Sequence, residues 1–162
     1  MLFSGLPFLY YFLPAVLVCY FAAPRKLKNA VLFVFSLIFY GWGEPRYIVL
    51  MIVSIVSGFV FALMIEKKQN KKSGLILMWI SVAVSLSFLL IFKYADFLIE
   101  NVNQLPGVSL PLSKLSLPIG ISFYTFQIIS YTVDVWRGDT KAQRNIISFG
   151  TYVSLFPQLI AG

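Results

Sequence analysis

The stretch YIVLMIVSIVSGFVFALMI, Tyr47–Ile65, decides the fold class, because it holds neither a charged residue nor a proline. A bilayer hydrocarbon core of roughly 30 Å needs about 20 helical residues, which is the length of this run. Comparable apolar segments lie on both sides of it. Upstream are Leu6–Ala23 and Leu27–Trp42. Downstream are Leu75–Phe92, Ile119–Trp136 and a last segment from near Ile146 to Gly162. The reading is an all-α, polytopic transmembrane helix bundle of about six spans, with residues 1–162 forming a single membrane-embedded region. Three spans are a little short or interrupted. Pro14 removes a backbone donor inside the first, which predicts a bend there.

Composition points the same way. Of 162 residues, 59% are hydrophobic and only 12% are charged, and mean hydropathy is +0.85. A soluble domain carries about 25% charged residues. The deficit excludes an ordinary cytosolic domain, a disordered tail and a coiled coil. Cys19 is the sole cysteine, so there is no disulfide scaffold. The chain has no histidine. That excludes a HExxH zinc site and any Ser-His or Cys-His pair built from these residues alone. No catalytic residue, no metal ligand and no bound cofactor is assigned to the chain itself.

The net charge of +7 is placed asymmetrically. Helices joined by short loops alternate in direction. One side then collects Arg25, Lys26, Lys28, Lys67, Lys68, Lys71, Lys72, Arg137, Lys141 and Arg144, and the other only Arg46, Lys93 and Lys114. The positive-inside rule puts the ten-residue side in the cytoplasm and the N-terminus outside. The expected partners of this charge are anionic membrane lipids and not nucleic acid. Residues 1–7 carry no positive charge, and the first basic cluster follows the apolar run, the reverse of a cleaved signal peptide.

Two connections have character of their own. In GWGEP, Gly41 and Gly43 can end the second helix and Pro45 suits the start of the third. Tyr40, Trp42 and Tyr47 around this turn read as an interfacial aromatic belt. After the fourth span, FKYADFLIENVNQL continues helically, and Lys93 and Asp96 are spaced to pair. LPGVSLPLSKLSLP, residues 105–118, has three prolines and no helical period, and reads as an extended outer connection.

The fifth span, within LPIGISFYTFQIISYTVDVWRG (Leu117–Gly138), is polar for a lipid-facing helix. With Tyr124 at zero and about 100° per residue, Gln127 falls near −60°, Tyr131 near −20° and Asp134 near −80°. Four hydrogen-bonding side chains thus share a stripe about 80° wide, while Phe126, Ile129 and Val133 lie opposite. Such groups need a protein partner or a wet cavity. Two readings stay open: an interhelical hydrogen-bond seam, or a face that lines a substrate path. Asp134 and Arg137 also have the spacing of an interfacial ion pair.

The stretch Leu117–Gly138, followed by FPQLIAG, resembles the bacterial membrane-bound O-acyltransferases, most closely the alginate O-acetyltransferase branch. MLFSGLPFLYYFLP, KNAVLFVFSLIFYGWGEP and FKYADF fit as well, so the resemblance covers almost the whole chain. It implies the N-terminal portion of a larger many-helix fold pierced by a tunnel. The implied activity is transfer of an acyl group, usually acetyl, to hydroxyls of an extracytoplasmic polysaccharide such as alginate. The implied donor is acetyl-CoA or another acyl carrier on the cytoplasmic side, and an extracytoplasmic acetyltransferase is a candidate partner protein. The implied location is a bacterial inner or plasma membrane. Tyr124, Gln127, Tyr131 and Asp134 would then line the tunnel. A sugar hydroxyl is a poor nucleophile until a base takes its proton. The family's candidate base is a histidine beyond the FPQLIAG stretch, which this sequence lacks. The expectation is a chain that continues in the full-length enzyme and is inactive by itself. A transporter segment and a non-catalytic membrane scaffold remain alternatives.

Overall fold

The computed structural model describes residues 6–43, 45–69, 71–103, 118 and 120–161. Among them all regular structure is helical. The helices are α1 (Leu13–Ala22), α2 (Lys28–Gly43), α3 (Ile48–Lys67), α4 (Lys72–Asn103), α5 (Ile121–Arg137), α6 (Ile146–Ser154) and α7 (Phe156–Ala161). The first five apolar segments of the sequence each form a helix, and the fourth continues to Asn103 through the stretch expected to extend it. The connection over 105–117 and the side chain of Asp96, with its proposed pairing to Lys93, lie outside the described residues.

Local chemistry explains where the helices change course. Pro14, in the first turn of α1, has no N–H to donate. The strain is taken up by a wide π turn over Phe8–Phe12, closed by Leu13 N–H on the Phe8 carbonyl. The final apolar segment is not one helix. Leu155 is extended (φ −56°, ψ 112°), and this separates α6 from α7. Pro157 two residues on cannot serve the carbonyl of a preceding turn, which favours the break at this point.

α5 packs against α3 and α4, α6 lies against α2 and α3, and α1 flanks α2. The main core gathers Met51 and Ile55 of α3, Leu89 of α4, Ile121, Tyr124 and Ile128 of α5, and Phe149 and Val153 of α6. Tyr40 of α2 joins this core, whereas Trp42 is 68% exposed. A second cluster packs Ala62, Ile65, Met78 and Val135 around Ala142 of the α5–α6 loop. A third is aromatic: Phe8, Phe39 and Phe156 meet at 5.5–5.9 Å between ring centroids.

Small residues let the helix axes approach. A Cβ on Gly58 would stand 2.7 Å from Ile128 Cγ2, so α3 and α5 touch there at backbone distance. Thr151 of α6 donates to the Asn29 carbonyl of α2 at 2.9 Å, and Asn29 Nδ2 donates to Ser148 Oγ at 3.1 Å.

The outward faces are apolar. Ile48–Lys67 and Lys72–Tyr94 are long and apolar enough to cross a membrane, yet only 33% and 17% of their apolar windows are buried in the bundle. The central helix of a soluble protein would be mostly buried. Val49, Val60, Ile76, Trp79 and Phe126 are among the large side chains that stand exposed.

Candidate functional site

α5 begins at Gly120, whose φ is +73°, and ends at Gly138, whose φ is +86°. Gly138 N–H donates to the Asp134 and Val135 carbonyls, which closes the last turn. The chain then reverses through residues 139–145. Asn145 caps α6, its side chain accepting from Ile147 N–H and Ser148 N–H at 2.9 and 3.3 Å.

The predicted stripe divides along the length of α5. Tyr131 and Asp134 line one cavity of about 370 Å³. Its other walls come from Thr140 and Gln143 of the loop and from Ser148 and Tyr152 of α6. Tyr131 is fixed at both ends. Its ring lies 4.9 Å from that of Phe149, and its hydroxyl accepts the Gln143 N–H at 2.6 Å.

Gln127 sits one turn deeper. Its Nε2 donates to the Tyr152 carbonyl and to Gln158 Oε1, both at 3.3 Å, which ties α5 to α6 and α7. Its Oε1 is buried and has no hydrogen-bond partner among the described residues. Tyr124 is fully buried in the main core, its hydroxyl beside that of Tyr40. The structure therefore brings Tyr131 and Asp134 to one cavity, leaves Gln127 next to it as a bridge, and holds Tyr124 in the packing.

The loop that walls the cavity is pinned from α3. Glu66 Oε1 accepts the Ala142 N–H at 3.0 Å, and Glu66 Oε2 is paired with the Arg144 guanidinium. Gln143 Oε1 in turn accepts from Arg144 N–H and Asn145 N–H. Sequence reasoning missed Glu66. A signal existed: it is the lone acidic residue between a long apolar run and four lysines. No group of three or more His, Cys, Asp or Glu that could hold a metal occurs among the described residues.

The resemblance of the Leu117–Gly138 stretch to membrane-bound O-acyltransferases extends over the full chain in its curated relatives. The whole chain is 38% identical to the probable alginate O-acetylase AlgI of Pseudomonas syringae pv. tomato and to that of Pseudomonas aeruginosa, covering 32% of each. It is 28% identical to the peptidoglycan O-acetyltransferase of Helicobacter pylori, covering 36% of it. The chain thus spans about a third of the length of these relatives, and the match falls in their N-terminal part. No family model matches the chain, and no solved structure matches it.

Proposed function

We propose that these residues form part of an O-acyltransferase that transfers acetyl groups to hydroxyls of an extracytoplasmic polysaccharide, alginate being the first candidate. The observation that carries the reading is homology to named O-acetylases along the whole chain. In this reading α1 to α6 belong to a multi-pass bundle in a bacterial inner or plasma membrane, with the N-terminus outside. The exposed apolar faces of α3 and α4 support it, because such area is tolerated in lipid and not in water.

On that topology the cavity of Tyr131 and Asp134 opens at the cytoplasmic end of α5. It is suited to the donor side, where acetyl-CoA or another acyl carrier would enter. Tyr131 and Gln143 offer hydroxyl and amide groups beside the apolar face of Phe149, the mixture that orients a thioester end in a largely apolar passage. The reaction's base would come from residues other than these. An extracytoplasmic acetyltransferase could take the acetyl group onward to the polymer.

The cavity is tested in the full-length enzyme. Tyr131→Phe removes one hydroxyl and should lower acyl transfer about 3- to 10-fold, with thermal stability near wild type. Unchanged transfer would exclude Tyr131 from the passage. A second reading has its own observation, the bridge from Gln127 to Tyr152 and Gln158. If the stripe is a seam at this depth, Gln127→Leu should lower stability and activity together, by about 0.6 kcal/mol for an average intramembrane hydrogen bond.

Topology has a separate check. In a Cys19→Ser background, an impermeant thiol reagent applied from outside should label Asn101→Cys and leave Lys71→Cys unlabelled. The reverse pattern would overturn the orientation.

A further inference from the structure

A second cavity, of about 500 Å³, opens where the start of α4 meets the end of α5. It is lined by Lys71, Lys72, Leu75, Trp136 and Arg137, so the described residues bring three cations and no acidic side chain to it. Of the acidic residues flanking Arg137, Asp134 lines the other cavity and Asp139 is not among the residues lining this one. Glu66, the acidic residue at the end of α3, is taken up by Arg144 and Ala142. Like charges gathered in this way repel one another unless an anion sits between them.

The cations are held together by structure and not merely by sequence. Gln69, in the α3–α4 connection, donates to the Val135 carbonyl at 3.1 Å. The bare Cα of Gly138 makes room for that amide, since a Cβ there would stand 2.6 Å from Gln69 Nε2. This contact joins two segments 66 residues apart in the chain. It sets Lys71 and Lys72 opposite Arg137.

An apolar track leads away from the cations. Leu75, Ile76 and Trp79 follow Lys72 at helical spacing on one face of α4, and they are 38%, 59% and 62% exposed. We propose that this cavity is a binding site for an anionic phospholipid. The phosphate lies among Lys71, Lys72 and Arg137, Trp136 packs against the glycerol region, and the acyl chains run along Leu75, Ile76 and Trp79. The three cations would serve any phosphate anion. The exposed apolar track beginning at the cavity is what selects a lipid over free phosphate. The site rests on the membrane reading above, and it places a headgroup at the cytoplasmic surface, where basic pockets between helices bind such lipids.

The test uses the protein reconstituted into phosphatidylcholine vesicles containing a minor fraction of phosphatidylglycerol, then extracted in mild detergent and examined by native mass spectrometry. The wild type should retain one phosphatidylglycerol. Lys71→Gln/Lys72→Gln/Arg137→Gln should weaken retention at least about tenfold. Arg25→Gln/Lys26→Gln/Lys28→Gln, which removes the same charge elsewhere, should retain it. Equal loss in both variants would overturn the site in favour of diffuse attraction. Displacement of the lipid by inorganic phosphate at millimolar concentration would overturn the lipid assignment and leave an anion site. Incorporation of the wild type without retained lipid sinks the site alone. Failure to incorporate into vesicles at all sinks the membrane reading together with it.

Discussion

Gly120→Ala is expected to destabilise the bundle by about 2–5 kcal/mol. Two penalties add. Gly120 has φ +73°, a left-handed conformation that costs a residue with a Cβ about 1–2 kcal/mol. The new methyl would also lie 2.8 Å from Leu159 Cδ2 and 3.1 Å from the Leu159 carbonyl oxygen. The side chain of Leu159 can turn, but its backbone oxygen cannot without moving α7, and overpacking of this kind costs about 1–3 kcal/mol. Thermal unfolding followed by circular dichroism in detergent should show a drop of about 4–20 °C. Gly120→Asn separates the two causes, because asparagine tolerates the left-handed region and still carries the Cβ. Asn should therefore recover the conformational part and keep the clash. A melting temperature for Gly120→Ala within a degree of wild type would reject both the left-handed penalty and the contact with α7.

The same glycine shows what the sequence could and could not disclose. Apolar run length announced the first five helices, since a long uncharged segment has to bury its backbone polar groups within itself. The break between α6 and α7 was not read from the sequence, where one span was expected from near Ile146, although Pro157 marks the place. Helical angles correctly put Tyr131 and Asp134 on one face, and both reach the same cavity. Angles say nothing about depth, however. Tyr124 and Asp134 are ten residues apart, about 15 Å along the helix axis. At one level the stripe meets Tyr40 and Met51 of the core, and at the other it meets the loop after α5. One stripe therefore serves packing at Tyr124, bridging at Gln127 and a cavity wall at Tyr131. Other walls, Gln143 and Ser148 among them, come from residues whose spacing within any single helix carries no sign of their meeting. Glu66 is a further case, because its partners lie 76 and 78 positions along the chain.

Glu66→Ala is expected to loosen the α5–α6 loop far more than removal of its ionic partner. The reason lies in what each carboxylate oxygen does. Oε2 pairs with Arg144, whose side chain is 68% exposed, and an ion pair so open to solvent contributes about 0–1 kcal/mol. Oε1 accepts the N–H of Ala142, a residue only 4% exposed. Deleting the acceptor leaves a backbone donor unsatisfied away from water, at about 1–3 kcal/mol. Glu66→Gln keeps an oxygen for Ala142 and loses only the charge. The expected order of damage is therefore Glu66→Ala well above Glu66→Gln and Arg144→Ala, which should be close to each other. Tryptic cleavage at Lys141, inside the loop, reads this directly. Cleavage should quicken about 5- to 150-fold in Glu66→Ala, matching the lost opening free energy, and only slightly in Glu66→Gln. Equal sensitivity of Glu66→Gln and Glu66→Ala would mean that charge, not the hydrogen bond, holds the loop. The consequence reaches the cavity because Gln143, next to Ala142, donates its N–H to the Tyr131 hydroxyl. In the full-length enzyme, Glu66→Ala should therefore lower acyl transfer alongside the rise in cleavage, whereas Glu66→Gln should leave both near wild type.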